Sequence, residues 1–552
     1  MDMRTHIEDY ALLGDCETAA LVSRQGSIDW LCWPNFASPA CFAALLGTED
    51  NGHWSIAPAA NARSTRCYRQ GTLVLETTFE NDEGAVCLID LMPIRDKFSH
   101  VVRIVRGIRG RLPMCMQLVL RFDYGRSVPW VTRTEEGAFR AIAGPDMVIM
   151  RTNARFRGQD LKTLSDFTVE REQSVWFTMT YSPSYEDAPA PIDAEEELRQ
   201  TTQLWQQWTG RATYEGEYKD AVERSLLTLK ALTYRPTGGI IAAPTTSLPE
   251  CLGGQCNWDY RYCWLRDATF SLLTLMNAGY YDEAKAWRDW LLRAAAGSPD
   301  QLQIMYGIRG ERHLLEWPAE WLPGYADSKP VRVGNSASEQ LQLDVYGEVA
   351  DALLHAHLGG IPWSRTDLDL QCSLTAHLAQ IWQQPDHGIW EVRSLPQHFT
   401  HSKIMVWVAL DRAVQSVEKS GMAAGKADVQ HWRALRDKVH RDVCRHGFNQ
   451  QINSFTQAYG SKVLDAALLL VPLLGFLPAT DPRVRGTVEA VEKQLMRDGF
   501  VLRYNTEETV DGLPPGEGIF VACSLWMVCA LSRLGRHDDA RRFVRAGTGA
   551  AQ

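Results

Sequence analysis

The chain has 552 residues, with 57 Lys and Arg against 67 Asp and Glu, a formal net charge of -10. That length buries a large core and predicts two domains, or three with an inserted lobe. The acidic balance, without any Lys/Arg run, argues against nucleic acid or an anionic membrane as the main partner, and 45% apolar with 22% charged residues is an ordinary soluble composition. The N-terminus carries acids and lacks an apolar core, so it does not read as a signal peptide. No apolar run reaches membrane-spanning length, the stretch 466–477 being the longest. A cytoplasmic protein is therefore expected, with its 13 cysteines mostly reduced. The spacing of Cys251, Cys256 and Cys263 is unlike a zinc site, and neither a metal nor a cofactor is expected.

Residues 1–190 read as an antiparallel β-sandwich. Alternating runs at 72–79 and 85–91 flank Glu80-Asn81-Asp82-Glu83-Gly84, a hairpin signal, and 101–108, 114–122 and 174–181 continue the pattern as further strands. The segment 26–34, with Trp30 and Trp33, reads as a tight hairpin that either anchors the sheet or presents its aromatics elsewhere. An Ala/Pro-rich stretch at 187–191 marks a boundary, and the acidic segment 191–216 is predicted to be a linker helix. From 217 to 552 the apolar period is helical. Helices recur in pairs: 272–292 breaks at Gly279 and restarts near Asp282-Glu283, and 525–544 breaks at Gly535 and restarts at Asp538-Asp539. This predicts a toroid of helical hairpins, an (α/α) barrel with long loops at one rim.

Nineteen tryptophans are many for this length, and most are expected to fill cores. Four loop stretches mix aromatics, carboxylates and cations instead. In Asn257-Trp258-Asp259-Tyr260-Arg261-Tyr262-Cys263-Trp264-Leu265-Arg266-Asp267, the last two residues supply a donor fork and a double acceptor suited to vicinal hydroxyls, or else a helix cap with its salt bridge, ahead of a helix from Ala268. The polar stretch 322–346 leads into a helix on which Gln340 and Asp344, four apart, are expected to share a face. In Asp386-His387-Gly388-Ile389-Trp390-Glu391-Val392-Arg393 a carboxylate follows a tryptophan and a glycine turn. In Gly512-Leu513-Pro514-Pro515-Gly516-Glu517-Gly518 a single carboxylate stands between glycines before an apolar helix, as either a catalytic group or a helix N-terminal acid. Two glutamates on separate rim loops are what glycoside hydrolysis requires. There is no Gly-x-Ser-x-Gly, P-loop or His-Glu-x-x-His to compete with that reading.

Taken together and in order, these stretches resemble glycoside hydrolase family 15, the glucoamylase and bacterial trehalase family, over nearly the whole chain. The segments "GSIDWLCWP", "NWDYRYCWLRDA", "GNSASEQLQLDVYGE", "GIWEVR" with "HFTHSKIMVWVALDRA", and "GEGIFVACSLW" carry the resemblance. It implies an N-terminal β-sandwich followed by an (α/α)6 barrel. It makes Glu391 the general acid and Glu517 the general base, places Arg266 and Asp267 on the non-reducing glucose with Tyr260 and Trp264 nearby, and brings Trp30 toward the active-site mouth. Trp390, Arg393 and Lys403, around Glu391 in sequence, complete the expected substrate contacts. The family inverts configuration, which expects carboxylates roughly 6.5–9.5 Å apart. Where fungal members carry a second acid after the general acid, this chain has Val392 and then Arg393, which argues against a fungal-style maltose +1 site and leaves trehalose, isomaltose or another α-glucoside, a malto-oligosaccharide among them, as substrate. The implied activity is exo-acting hydrolysis of a small α-glucoside by a chain that also admits a homo-oligomer. A glycoside phosphorylase and a non-catalytic α-glucoside-binding protein are the alternatives.

Overall fold

The computed structural model describes residues 5–422, 426–507, 511–514, 516 and 518–549. The strands between Tyr10 and Pro183 form two antiparallel layers joined through one long strand, Ser99–Val119. Its first half pairs with Gly84–Leu91 and Ser174–Pro183, and its second half with His53–Pro58 and Lys162–Glu170. The sequence suggests two strands here, at 101–108 and 114–122; the backbone instead runs on as one and bends between layers. Gly110, at φ 61°, permits the bend, since a Cβ there would lie 2.1 Å from Glu83 O. The predicted hairpin forms as Leu75–Glu80 against Gly84–Leu91, with Leu75, Thr77 and Phe79 facing inward by strand alternation. Between the layers, fully buried Arg103 donates to Asp90 Oδ1 (2.8 Å) and to the carbonyls of Trp54 (2.5 Å) and Gly26 (2.7 Å), so its charge is paired and its donors are used.

Helices follow: α1 (Ala194–Thr209), N-capped by Asp193; α2 (Lys219–Ala231); α3 (Leu265–Asn277); α4 (Tyr281–Ala295); α5 (Asp344–Leu358); α6 (Arg365–Ile381); α7 (Thr400–Ser420); α8 (Lys426–His446); the short α9 (Val471–Leu474) after a 3-10 turn at Ala466–Leu470; α10 (Pro482–Gln494); α11 (Val521–Arg533); and α12 (His537–Gly549). The breaks at Gly279 (φ 91°) and Gly535 (φ 78°) turn α3 into α4 and α11 into α12. α5 and α7 are buried on nearly every side, whereas α4, α6 and α10 bury one stripe each, the pattern of inner and outer helices in an (α/α)6 barrel.

Polar contacts, most of them buried, lock the sandwich to the barrel. Arg261 pairs with Asp259 (2.7 Å), both nearly inaccessible, and donates to Ser38 O (3.0 Å) across the domain boundary. Trp30 Nε1 donates to Pro244 O (2.8 Å), and Arg235 pairs with Glu17 (3.2 Å).

Candidate active site

The segment from Asn257 alternates direction. Asp259 and Arg261 turn inward to the domain boundary, which sends Trp258 and Tyr260 to the opposite side, into a cleft of about 680 Å³ at the barrel rim. α3 begins at Leu265 rather than at Ala268, so Arg266 and Asp267 stand on its first turn and Trp264 is the N-cap residue. Arg266 Nε bonds Asp267 Oδ1 (3.0 Å), and its Nη1 donates to Ile389 O (2.6 Å), which fastens the helix start to the loop bearing Glu391. The same cleft is lined by Trp390, Glu391 and Arg393.

Glu391 adopts φ 57°, a left-handed conformation, after Gly388 at φ 67°. Its Oε1 accepts from Trp264 Nε1 at 2.7 Å and lies 3.9 Å from Arg266 Nη2. Burial pushes the Glu391 carboxyl above its ordinary range; Arg266 and the Trp264 N–H oppose that shift, and Asp267 adds to it. Burial disfavours the Arg266 charge, but Asp267, Glu391 and Asp344 outweigh it and hold the guanidinium charged. Beneath it, burial and then Asp386 push Asp344 up to about 7, and burial with the Arg266 charge pulls His401 down to about 3. Neither oxygen of Asp344 has a hydrogen-bond partner among the described residues, which is the setting of a carboxyl that keeps its proton or meets buried water.

Sequence reasoning missed several supporting residues. Trp390 Nε1 donates to both oxygens of Asp465 (2.9 and 3.0 Å), and Arg503 lies over the Trp390 ring (5.5 Å) while pairing with Glu250 (2.9 Å). Arg332 and Arg393 both lie over the Trp258 ring, at 4.5 and 4.6 Å from its centre, and Arg393 Nη1 donates to Ser336 Oγ (2.6 Å). Trp258 had a signal, standing in the same aromatic run as Tyr260; Asp465 and Arg503 had none.

Two expected contacts lie elsewhere. Trp30 is fully buried at the domain boundary, where it packs with Leu322 and Val331 on the face away from the sandwich core that holds Ile28 and Leu31, so it joins sheet to barrel and does not line the cleft. Lys403 is buried on α7, donates to Trp382 O (2.6 Å) and Gln384 O (2.5 Å), and borders a separate hollow of about 990 Å³ with His398 and Tyr459. Gln340 and Asp344 share no helix face, because Gln340 ends a 3-10 turn and α5 starts at Asp344. Glu517 lies outside the described residues; Leu513, Gly518, Ile519 and Phe520 line the cleft.

Residues 216–546 match the family described as Glycosyl hydrolases family 15, and residues 2–160 match the Trehalase-like, N-terminal domain. The chain belongs to glycosyl hydrolase family 15. It is a glycosyl hydrolase. A Mycobacterium tuberculosis protein named Trehalase is 38% identical over 97% of this chain and 83% of its own length. A Trehalase of Thermoplasma volcanium is 33% identical over 98% of this chain and 86% of its own. In fold, the chain is similar to a bacterial glucoamylase complexed with acarbose, with TM-score 0.72 at 13% identity over 98% of this chain and 87% of that one.

Proposed function

We propose that this family 15 member hydrolyses a small α-glucoside from its non-reducing end with inversion, with Glu391 as general acid and Glu517 as general base. Trehalose is the first candidate substrate, and isomaltose or a malto-oligosaccharide would be the alternatives. The relatives named Trehalase support the first choice, since they align over almost the whole chain. The observation that carries the reading is Glu391 itself: a carboxyl in a rim cleft, pushed toward its protonated form by burial, with the Arg266–Asp267 pair beside it. Among the described residues both polar contacts of its side chain fall on Oε1, which leaves Oε2 to carry the proton.

Oε2–H of Glu391 protonates the glycosidic oxygen as the C1–O bond breaks. A water, giving its proton to Glu517, attacks C1 from the opposite face and yields β-glucose. Arg266 and Asp267 hold the hydroxyls of the glucose being released, and Tyr260, Trp264 and Trp390 supply apolar faces. Glu391→Gln keeps the shape and removes the proton; turnover on trehalose should fall by about 10²-fold or more with the circular dichroism spectrum unchanged. Retention of substantial activity removes Glu391 from the acid's role.

A further inference from the structure

Glu391 occupies a left-handed backbone conformation that is strained for a residue with a side chain and persists only where the surroundings over-determine it. The turn's own bonds are few: Glu391 N to Gly388 O (3.1 Å) and Val392 N to His387 O (3.3 Å). Past the turn, Arg393 N and Ser394 N both donate to Asp511 O (2.7 and 3.0 Å). The carbonyls of Glu391 and Val392 are satisfied by a single side chain: Gln340 Nε2 donates to Glu391 O (3.3 Å) and Val392 O (3.2 Å). The orientation of that amide is fixed in turn, because its Oε1 accepts from Gln342 Nε2 at 3.1 Å and Gln342 is buried. The surrounding segment is zipped to the same loop, His387 N donating to Leu341 O (3.1 Å) and Leu343 N to Asp386 Oδ2 (2.9 Å).

We propose that Gln340 is a positioning residue for the proton donor: its amide clamps the left-handed turn so that the Glu391 carboxyl stays on Trp264 and faces the leaving oxygen. The proposal rests on Glu391 being the general acid. Among the described residues the hydrogen bonds of the Gln340 side chain go to the backbone around Glu391 and to Gln342, and Gln340 does not line the cleft, so it acts through Glu391 and not on the sugar. Loss of the clamp lets the turn relax toward an ordinary conformation and swings the carboxyl off its line, and misplacement by about 1 Å in such a group costs about 10²-fold in rate.

The test compares Gln340→Met, which keeps length and volume but donates nothing, with the unaltered chain on trehalose and on α-glucosyl fluoride, whose leaving group departs without full protonation. The expected result is a fall in kcat on trehalose of about 10- to 100-fold. KM should change little, and the fall on the fluoride should be much smaller. Gln342→Met, which frees the Gln340 amide to flip, should show the same pattern more weakly, and it carries the comparison if Gln340→Met does not fold. Equal losses on both substrates mean general structural damage and overturn the proposal, as does an unchanged kcat on trehalose. An unaltered chain that hydrolyses neither substrate fails the hydrolase reading itself, a different outcome from either of these.

Discussion

Replacing Trp264 with Phe keeps an aromatic ring in the cleft but deletes the N–H that donates to Glu391 Oε1 at 2.7 Å. That bond favours the ionised carboxylate, against the burial that raises its pKa. Hydrogen bonds to a charged group contribute about 1.5–3 kcal/mol, and about 1.4 kcal/mol corresponds to one pH unit of titration. Arg266, 3.9 Å from the same oxygen, stays in place and softens the loss, so the lower end of that range applies. Without the N–H, Glu391 ionises less readily and stays protonated to higher pH. The alkaline limb of the kcat/KM profile on trehalose, which reports the acid in the free enzyme, should therefore move up by about 1 unit. The assay is initial glucose release across pH, fitted to both limbs. A limb that stays fixed or moves down would refute the assignment of that limb to Glu391.

Three more substitutions test the surroundings of the site. Asp344 keeps its proton to about 7 in the folded chain, whereas an unfolded aspartate releases it near its ordinary pKa; the folded state binds the extra proton in between, so wild-type stability falls as pH rises through that window. Asp344→Asn removes this dependence, so the melting temperature of the variant relative to wild type should climb from about pH 4 to about pH 7 and then level off; a flat or falling difference contradicts it. Arg266→Lys leaves a charge but cannot serve Asp267 and Ile389 O together as a planar fork, and kcat/KM should drop by about 10²-fold, as steady-state kinetics would show. Arg261→Met strands buried Asp259 without its cation and cuts the bond to Ser38 O, and urea unfolding should show about 3–5 kcal/mol lost.

The elements with a strong local signal were legible in the sequence. Alternation gave the hairpin of Leu75–Glu80 and Gly84–Leu91, and a glycine followed by acids gave the turns at Gly279 and Gly535. What sequence hides is continuity and direction. Gly110, in the gap between the runs at 101–108 and 114–122, looks like a stop between two strands, yet it lets one strand cross from layer to layer. α3 starts three residues early because Trp264, with no capping side chain, gives no start signal. Nearness in sequence suggested Lys403 as a neighbour of Glu391, but the first turn of α7 carries it to the carbonyls that end α6. Trp30 and Tyr260 are both aromatic residues in extended segments; only the partners of the residues beside them decide which faces a core and which a cleft. Gln340 reads in sequence as a polar residue on a helix face with Asp344, and its two bonds to the Glu391 turn depend on a fold that brings residues 340 and 391 together.

Inverting hydrolysis at the Glu391 cleft is best tested by a proton NMR time course of the anomeric signals. The enzyme is supplied with trehalose, and in parallel with maltose, isomaltose and maltotriose. Early appearance of β-glucose ahead of mutarotation, from trehalose first among the four, is the predicted result. Early α-glucose, or no cleavage of any of them, would contradict it.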